Sequence, residues 1–213
     1  MDERPGLTSR IGLLRPMRHR DFRLLWIGQA ISMIGDGTYY VAVAWLVYQN
    51  LHGSPAAFAA VGVAWSLPQL LLLLASGALS DRMDRRHLMI AGDLLRLAAI
   101  TTVGVLTLAD LITIPILVCL VVFYGSGQAL FGPAFSSIVP SIVPEEVLVE
   151  ANSVGQVVRP FAMTIVGPLL GGLLLAIGTG WAFIFDGLTF GASAVCILLM
   201  RARKGSGDAS TRR

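Results

Sequence analysis

Five ionisable side chains fall inside long apolar stretches of this chain: Asp36, Asp93, Arg96, Arg159 and Asp186. An ionisable group in the middle of a membrane helix costs at least ~2.5 kcal/mol, so such groups mark ion or solute pathways or pair with one another. The carboxylates are candidates for proton or cation binding. The guanidinium groups are candidates for anion binding or for neutralising those carboxylates.

Asp36 lies deepest, fourteen residues after Phe22, where its apolar stretch begins. A helix rises about 1.5 Å per residue, which places Asp36 about 21 Å along it. Gly35 and Gly37 flank the acid, weaken the helix and allow another backbone or a solute to approach closely. We interpret Asp36 as a proton- or cation-responsive carboxylate on a pathway. The alternative is a structural acid that pairs with an arginine of another helix.

The remaining four charges leave more than one interpretation open. Asp93 and Arg96 are three residues apart and share a helix face, which predicts either a local ion pair or a role in transport. Arg159 can bind an anionic group of a substrate or neutralise one of the acids. Asp186 is either a structural acid or, with Gln128 of the fourth span, part of a coupling or substrate pathway.

The overall composition predicts that these groups are positioned by membrane helices. Hydrophobic residues make up 55% of the chain and charged residues only 14%, against about a quarter in soluble domains. A membrane-crossing helix needs about 20 apolar residues, and runs of this length without period-2 alternation exclude a β-barrel. We predict an all-α membrane protein with six transmembrane helices, at Phe22–Tyr48, Ala56–Leu79, Leu88–Ala109, Ile112–Ser136, Ala151–Ile177 and Trp181–Met200.

The positive charges predict the orientation. Arginine and lysine gather in residues 1–23, 82–86 and 201–213, and the connections after the first, third and fifth spans contain neither. Positively charged loops stay on the cytoplasmic side. We therefore expect a multi-pass protein of the plasma (inner) membrane with both termini in the cytoplasm.

Three segments follow from this orientation. Residues 1–21 form a cytoplasmic basic N-terminal segment, residues 22–200 the six-helix transmembrane domain, and residues 201–213 a cytoplasmic basic tail or a truncated central loop. Because the basic residues adjoin apolar runs, they serve orientation rather than nucleic-acid binding.

Two motifs resemble those of a transporter superfamily. Residues 77–87 read GALSDRMDRRH, which resembles the signature loop of the major facilitator superfamily. Residues 167–172 read GPLLGG, which resembles the Gly-Pro-x-x-Gly-Gly motif of the superfamily's drug:proton antiporters. Residues 20–26, 32–36 and 143–152 look like the enterobactin-exporter and macrolide-efflux branch.

The resemblance implies one half of a twelve-helix fold, built as two inverted three-helix repeats. Glycine or proline interrupts both the first and the fourth span, and such paired interruptions point to a binding site between repeats. The resemblance also implies a gating loop, a helix motif that resists proton leak, and a charge network of Asp93 and Arg96 with Asp81 and Arg85. The gating loop comprises Gly77, Asp81, Arg82, Arg85 and Arg86, and the helix motif comprises Gly167, Pro168, Gly171 and Gly172.

The chain departs from the family pattern in three ways. Asp84 stands where the signature loop usually has glycine, and the fourth span carries Gly125–Gln128 in place of the superfamily's arginine. The match covers only the N-terminal half of such a transporter.

The expected function is secondary active efflux of a small molecule across the lipid bilayer, coupled to protons, by alternating access. A second six-helix half or a homodimer partner would complete the transporter. The alternative is a truncated or split-transporter fragment that is inactive alone.

An enzyme is the least favoured class. Ser126 lies between two glycines, but no histidine falls in any span to activate it. No metal-ligand spacing and no glycine-rich phosphate loop are present, so we expect no cofactor.

Overall fold

Each predicted apolar run forms a helix. The computed structural model describes the backbone of residues 15–79 and 84–201, and the side chains of all of these except residues 73–79. The helices are α1 (Arg20–Trp45), α2 (Pro55–Leu79), α3 (Arg85–Leu108), α4 (Ile114–Ile142), α5 (Leu148–Pro160), α6 (Gly167–Leu175) and α7 (Thr179–Leu198). A π-helical turn, Leu46–Asn50, extends α1, and another, Phe161–Val166, joins α5 to α6 into one fifth span. Within the residues that the structure describes, six spans are long and apolar enough to cross a membrane.

The span boundaries differ from the prediction by at most six residues. α3 begins at Arg85, three residues before the predicted start, because Asp84 caps it by accepting a 2.9 Å hydrogen bond from the backbone N–H of Arg86. α4 continues to Ile142, six residues beyond the predicted end at Ser136. Pro140 lacks an N–H and removes a backbone hydrogen bond there, but the helix continues through it.

Proline chemistry also accounts for the irregular fifth span. Pro160 and Pro168 stand on either side of the π-helical turn, and neither can donate to the carbonyl one turn earlier. Between them the backbone hydrogen-bond register widens, with the cap N–H of Gly167 bonding to the carbonyl of Ala162. Such π-helical turns are often found at functional sites.

The packing of the spans repeats in an inverted way. The first span packs against the sixth and the fifth, and the fourth span packs against the third and the second. The third and sixth spans pack against each other. Exchanging spans one to three with spans four to six leaves this pattern unchanged, which confirms the predicted arrangement of two three-helix repeats.

Glycines set the distance between the first and fifth spans. A Cβ atom on Gly167 would lie 2.6 Å from the Cα of Gly37, and one on Gly37 would lie 2.9 Å from the carbonyl oxygen of Met163. The hydroxyl of Thr38 donates a 3.1 Å hydrogen bond to the Gly167 carbonyl. Small residues thus bring two backbones into direct contact, as is common between membrane helices.

The other members of the predicted helix motif have different surroundings. Gly171 faces the backbone of Thr38, where an added Cβ would meet the Cα at 3.3 Å. Gly172 is exposed, with no atom within 4 Å of an added Cβ. Within these six helices, Gly167 and Gly171 of the motif therefore pack against the first span, whereas Gly172 does not.

Gly167→Ala should destabilise the helix bundle, because the added methyl group meets backbone that cannot rotate away. Overpacking of this kind costs about 1–3 kcal/mol. Thermal unfolding in detergent, followed by tryptophan fluorescence, measures the change. Gly172→Ala is the matched control and should leave the unfolding temperature unchanged or raise it; equal effects of the two substitutions would contradict the packing assignment.

Candidate functional site

A polar layer lies between two apolar clusters in the interior of the bundle and consists of Asp36, Asp93, Arg96, Gln128 and Asp186. One cluster contains Phe190 and the other contains Phe131. The guanidinium of Arg96 lies between them, 4.2 Å from the centroid of the Phe190 ring and 4.6 Å from that of Phe131. Both distances suit cation–π attraction.

Arg96 forms a buried ion pair with Asp93, one helical turn earlier on α3. Arg96 is 1% exposed and Asp93 is 0% exposed. A second guanidinium nitrogen, Nη1, donates a 2.6 Å hydrogen bond to the Oε1 atom of Gln128 on α4. The structure therefore unites Asp93, Arg96 and the pathway candidate Gln128 in one network, which ties the third span to the fourth.

Asp36 lies across the bundle on α1. The hydroxyl of Tyr124, on α4, donates a 2.7 Å hydrogen bond to Asp36 Oδ1. The acid is half-buried and lies within electrostatic range of both Arg96 and Arg159. The carboxylate thus joins the interrupted regions of the first and fourth spans, the two segments whose glycines and prolines suggested a site.

Asp186 on α7 is fully buried against the same region of α1. A Cβ on Gly35 would lie 2.4 Å from Asp186 Oδ1, so the absent side chain at Gly35 makes room for the acid. Neither carboxylate oxygen has a hydrogen-bond partner within the described part of the chain. Its electrostatic neighbours are Asp36 and Arg96.

Arg159 lies on the exposed side of the fifth span. It lines a cavity of about 270 Å³ between the first, fourth and fifth spans, together with Trp26, Met33, Phe135 and Gln156 among others. Among the described residues, no carboxylate lies within 4.0 Å of its guanidinium nitrogens. The cavity combines aromatic and sulfur-containing side chains with an amide and a cation.

The described arginines of the predicted gating loop bind helix ends. Arg86 donates hydrogen bonds of 3.0 Å to the Ile197 carbonyl and 2.6 Å to the Leu198 carbonyl, at the end of α7. Arg85 donates a 2.8 Å hydrogen bond to the Ser137 carbonyl, near the end of α4. Cations at helix C-termini satisfy free carbonyls and complement the helix dipole.

The rest of the predicted gating loop lies wholly or partly outside the described residues. Asp81 and Arg82 lie outside the described residues, and Gly77 falls in the last turns of α2, where only the backbone is described. The predicted link of Asp93 and Arg96 to Asp81 therefore also lies outside the described part, while the guanidinium of Arg85 contacts α4 rather than the buried pair.

The sequence reasoning missed three aromatic residues of the site. Tyr124, Phe131 and Phe190 sit in apolar runs, where an aromatic ring is an ordinary packing residue. The position of Tyr124 beside Gly125 in an interrupted span was the one available signal. The contact of the Phe131 and Phe190 rings with Arg96 depends on how closely the helices approach one another, which the sequence does not show.

The fold and the site thus describe a multi-pass membrane protein of the major facilitator type. A family model described as a transmembrane secretion effector matches residues 11–211. The chain belongs to this family of the major facilitator superfamily.

The chain is also similar to curated transporters and efflux proteins. The chain is 31% identical over 152 residues to an uncharacterized MFS-type transporter, YfiS, of Bacillus subtilis, covering 71% of this chain and 35% of that protein. It is 30% identical to macrolide efflux protein A of Streptococcus pyogenes, covering 73% and 38%. It is 35% identical to the multidrug efflux pump Tap of Mycolicibacterium fortuitum, covering 69% and 38%.

The chain thus spans little more than a third of the length of these curated relatives. No solved structure matched it.

A double-substitution cycle tests the buried ion pair. Arg96→Met should destabilise the bundle by about 3–5 kcal/mol, because it leaves the charge of Asp93 buried and unpaired. The double variant Asp93→Asn/Arg96→Met removes both charges and should recover a large part of that loss. Equilibrium unfolding in mixed micelles measures the stability of Arg96→Met, Asp93→Asn and the double variant. If the double variant loses as much stability as the two single variants together, the two side chains do not act as a pair.

Proposed function

We propose that this chain forms one six-helix half of a secondary transporter that exports a small molecule by alternating access, with protons as the coupling ion. Membership of the family and the efflux proteins among its relatives support export. The observation that carries proton coupling is Asp36, a half-buried carboxylate deep in the first span. It accepts a hydrogen bond from the Tyr124 hydroxyl and lies within electrostatic range of Arg96 and Arg159.

The position of Arg159 supports a partner on the surface formed by the first, fourth and fifth spans, which we call the open face. Arg159 lies eleven residues after Leu148, where α5 begins, which corresponds to about 16 Å at the rise of an α-helix. An exposed arginine at this depth is too costly to face lipid and belongs against protein or a water-filled cavity. A second six-helix half over the first, fourth and fifth spans provides both.

Proton binding at Asp36 would change how these spans are held. An ionised Asp36 attracts Arg159 and stabilises the contact between the first and fifth spans at Gly37 and Gly167. Protonation removes that attraction. Two states of one charge can therefore bias two arrangements of the spans, as alternating access requires.

The cavity beside Arg159 is the proposed entry site for cargo. Trp26, Met33 and Phe135 offer apolar and aromatic contacts, and Gln156 offers hydrogen bonds. With both termini in the cytoplasm, as the arginine distribution predicts, the cavity lies toward the cytoplasmic side. There it would load an exported compound.

The gating role of the signature loop is also part of this proposal. Arg85 and Arg86 hold the ends of α4 and α7, so the loop connects three spans at one membrane surface. A movement of the loop would therefore displace the ends of all three spans. Asp81 remains the candidate for contact with the second half.

A second candidate function is that of an obligate component, inactive until another six-helix half joins it. The open face around Arg159 favours this possibility. The second half would come from the same polypeptide, another polypeptide or a second copy of this chain.

Asp36→Asn should abolish efflux driven by a pH gradient in proteoliposomes that contain the complete transporter, because the amide cannot exchange the proton. Asp110→Asn is the control: it makes the same chemical change at an exposed turn residue with φ 56°, a conformation that asparagine tolerates. Undiminished efflux by the Asp36→Asn transporter would remove Asp36 from coupling.

Cysteine crosslinking tests whether a second half covers the open face. In a Cys119→Ser/Cys196→Ser background, Gln156→Cys should crosslink to the second half in native membranes, because this residue lines the cavity on the open face. Leu188→Cys, on the sixth span and 64% exposed, should face lipid and remain uncrosslinked. Crosslinks at Leu188→Cys and none at Gln156→Cys would contradict the proposal, because the partner would then lie against the sixth span and not over the open face.

A further inference from the structure

Asp186 is the acid of the polar layer that lacks its own counter-charge. Asp93 has Arg96, with which it forms an ion pair. Asp36 has the hydroxyl of Tyr124 and the nearby charge of Arg159. Asp186 has neither a salt bridge nor a side-chain hydrogen bond in the part of the chain that the structure describes.

The elements around Asp186 offer little compensation. The titratable groups that act on it are Asp36, Tyr39 and Tyr40 from the first span, Arg96 from the third and Tyr124 from the fourth. Arg96 is the one buried cation among them, and it is already bound to Asp93 and Gln128. One guanidinium cannot neutralise two buried carboxylates.

A carboxylate in this position cannot remain charged. Asp186 is 0% exposed, and an isolated ionised carboxylate transferred to a low-dielectric interior costs tens of kcal/mol, so such groups neutralise instead. A metal cation needs several oxygen ligands. Here Gly35 offers no side chain, and among the described residues no group of three or more acidic, histidine or cysteine side chains is placed to hold a metal ion.

We propose that Asp186 binds a proton in this conformation and is a second proton-binding site, sealed between the first and sixth spans at Gly35 beside Asp36. Two carboxylates within electrostatic range resist being ionised together. The pair therefore holds at least one proton while the two spans stay in contact. Water reaches Asp186 only when the first and sixth spans separate at Gly35.

This inference deepens the proposed function, and its consequence for transport rests on that function. If Asp36 exchanges protons during the cycle, the sealed proton on Asp186 allows Asp36 to ionise without placing two negative charges side by side. The protonation of Asp186 itself does not depend on transport.

Infrared spectroscopy of the purified chain in lipid bilayers tests the proposal without any transport measurement. At neutral pH the protein should show the carbonyl stretch of a protonated carboxyl group, with the small shift that exchange into D2O produces. Asp186→Asn should lose this band and keep the fold, because the amide has the same shape and no charge. Asp36→Asn should retain the band.

A second variant protects the test against misfolding of Asp186→Asn. In the double variant Asp36→Asn/Asp93→Asn, Arg96 is released from Asp93 and Asp186 is the acid left to pair with it, so Asp186 should ionise and the band should disappear although residue 186 is unchanged. No protonated-carboxyl band in the wild-type protein, or a band that survives in Asp186→Asn, would overturn the proposal. So would a thermal stabilisation by NaCl relative to choline chloride that disappears in Asp186→Asn, since this would identify a metal-cation site.

Discussion

The ion pair of Asp93 with Arg96, enclosed between two phenyl rings, is the interaction on which the interior depends. In water such a pair would contribute little, but in a membrane protein both charges are kept from solvent and neither can be removed alone without large cost. The pair lies on the third span, reaches the fourth through Gln128 and touches the sixth through Phe190. It therefore fixes the relative positions of three helices and places the other acids around them.

Close packing of glycines surrounds this polar layer. The third and sixth spans meet at Gly104 and Gly180, where an added Cβ would lie 2.8 Å or less from the opposite carbonyl oxygen. The third and fourth spans meet at Gly92 and Gly127 in the same way. Without a hydrophobic driving force in lipid, such contacts supply the packing energy. They also hold Arg96 and Gln128 within hydrogen-bonding distance.

The fifth span differs from the others in ways that suit movement. It has an interrupted hydrogen-bond ladder between two prolines, contacts the first span through glycine and carries Arg159 on its exposed side. The third and sixth spans, by contrast, share an extensive packed surface. A closely packed pair of helices beside a less regular one, with Asp36 on the span between them, fits the alternating-access mechanism proposed above.

Much of this molecule follows from its residue order. Six apolar runs predicted six spans, because a run of this length crosses lipid as a helix. The resemblance to the major facilitator superfamily implied the inverted repeats, and the interruptions in the first and fourth spans agreed with it. The same reasoning singled out Asp36, Asp93, Arg96, Arg159 and Asp186, since a charge within an apolar run is costly wherever its helix packs. The Asp93–Arg96 pair was also predictable, because it is local to one helix turn.

The partners of these charges were decided by tertiary structure. Tyr124 is 88 residues from Asp36, and nothing in an apolar run shows which of its aromatic residues will face an acid on another helix. The sequence analysis left open whether Arg159 neutralises Asp36 or Asp186, and it could not show that Asp186 would be buried without a counter-charge. These outcomes depend on the distances and rotations between helices, which glycine contacts such as Gly37 with Gly167 determine only once the spans have assembled.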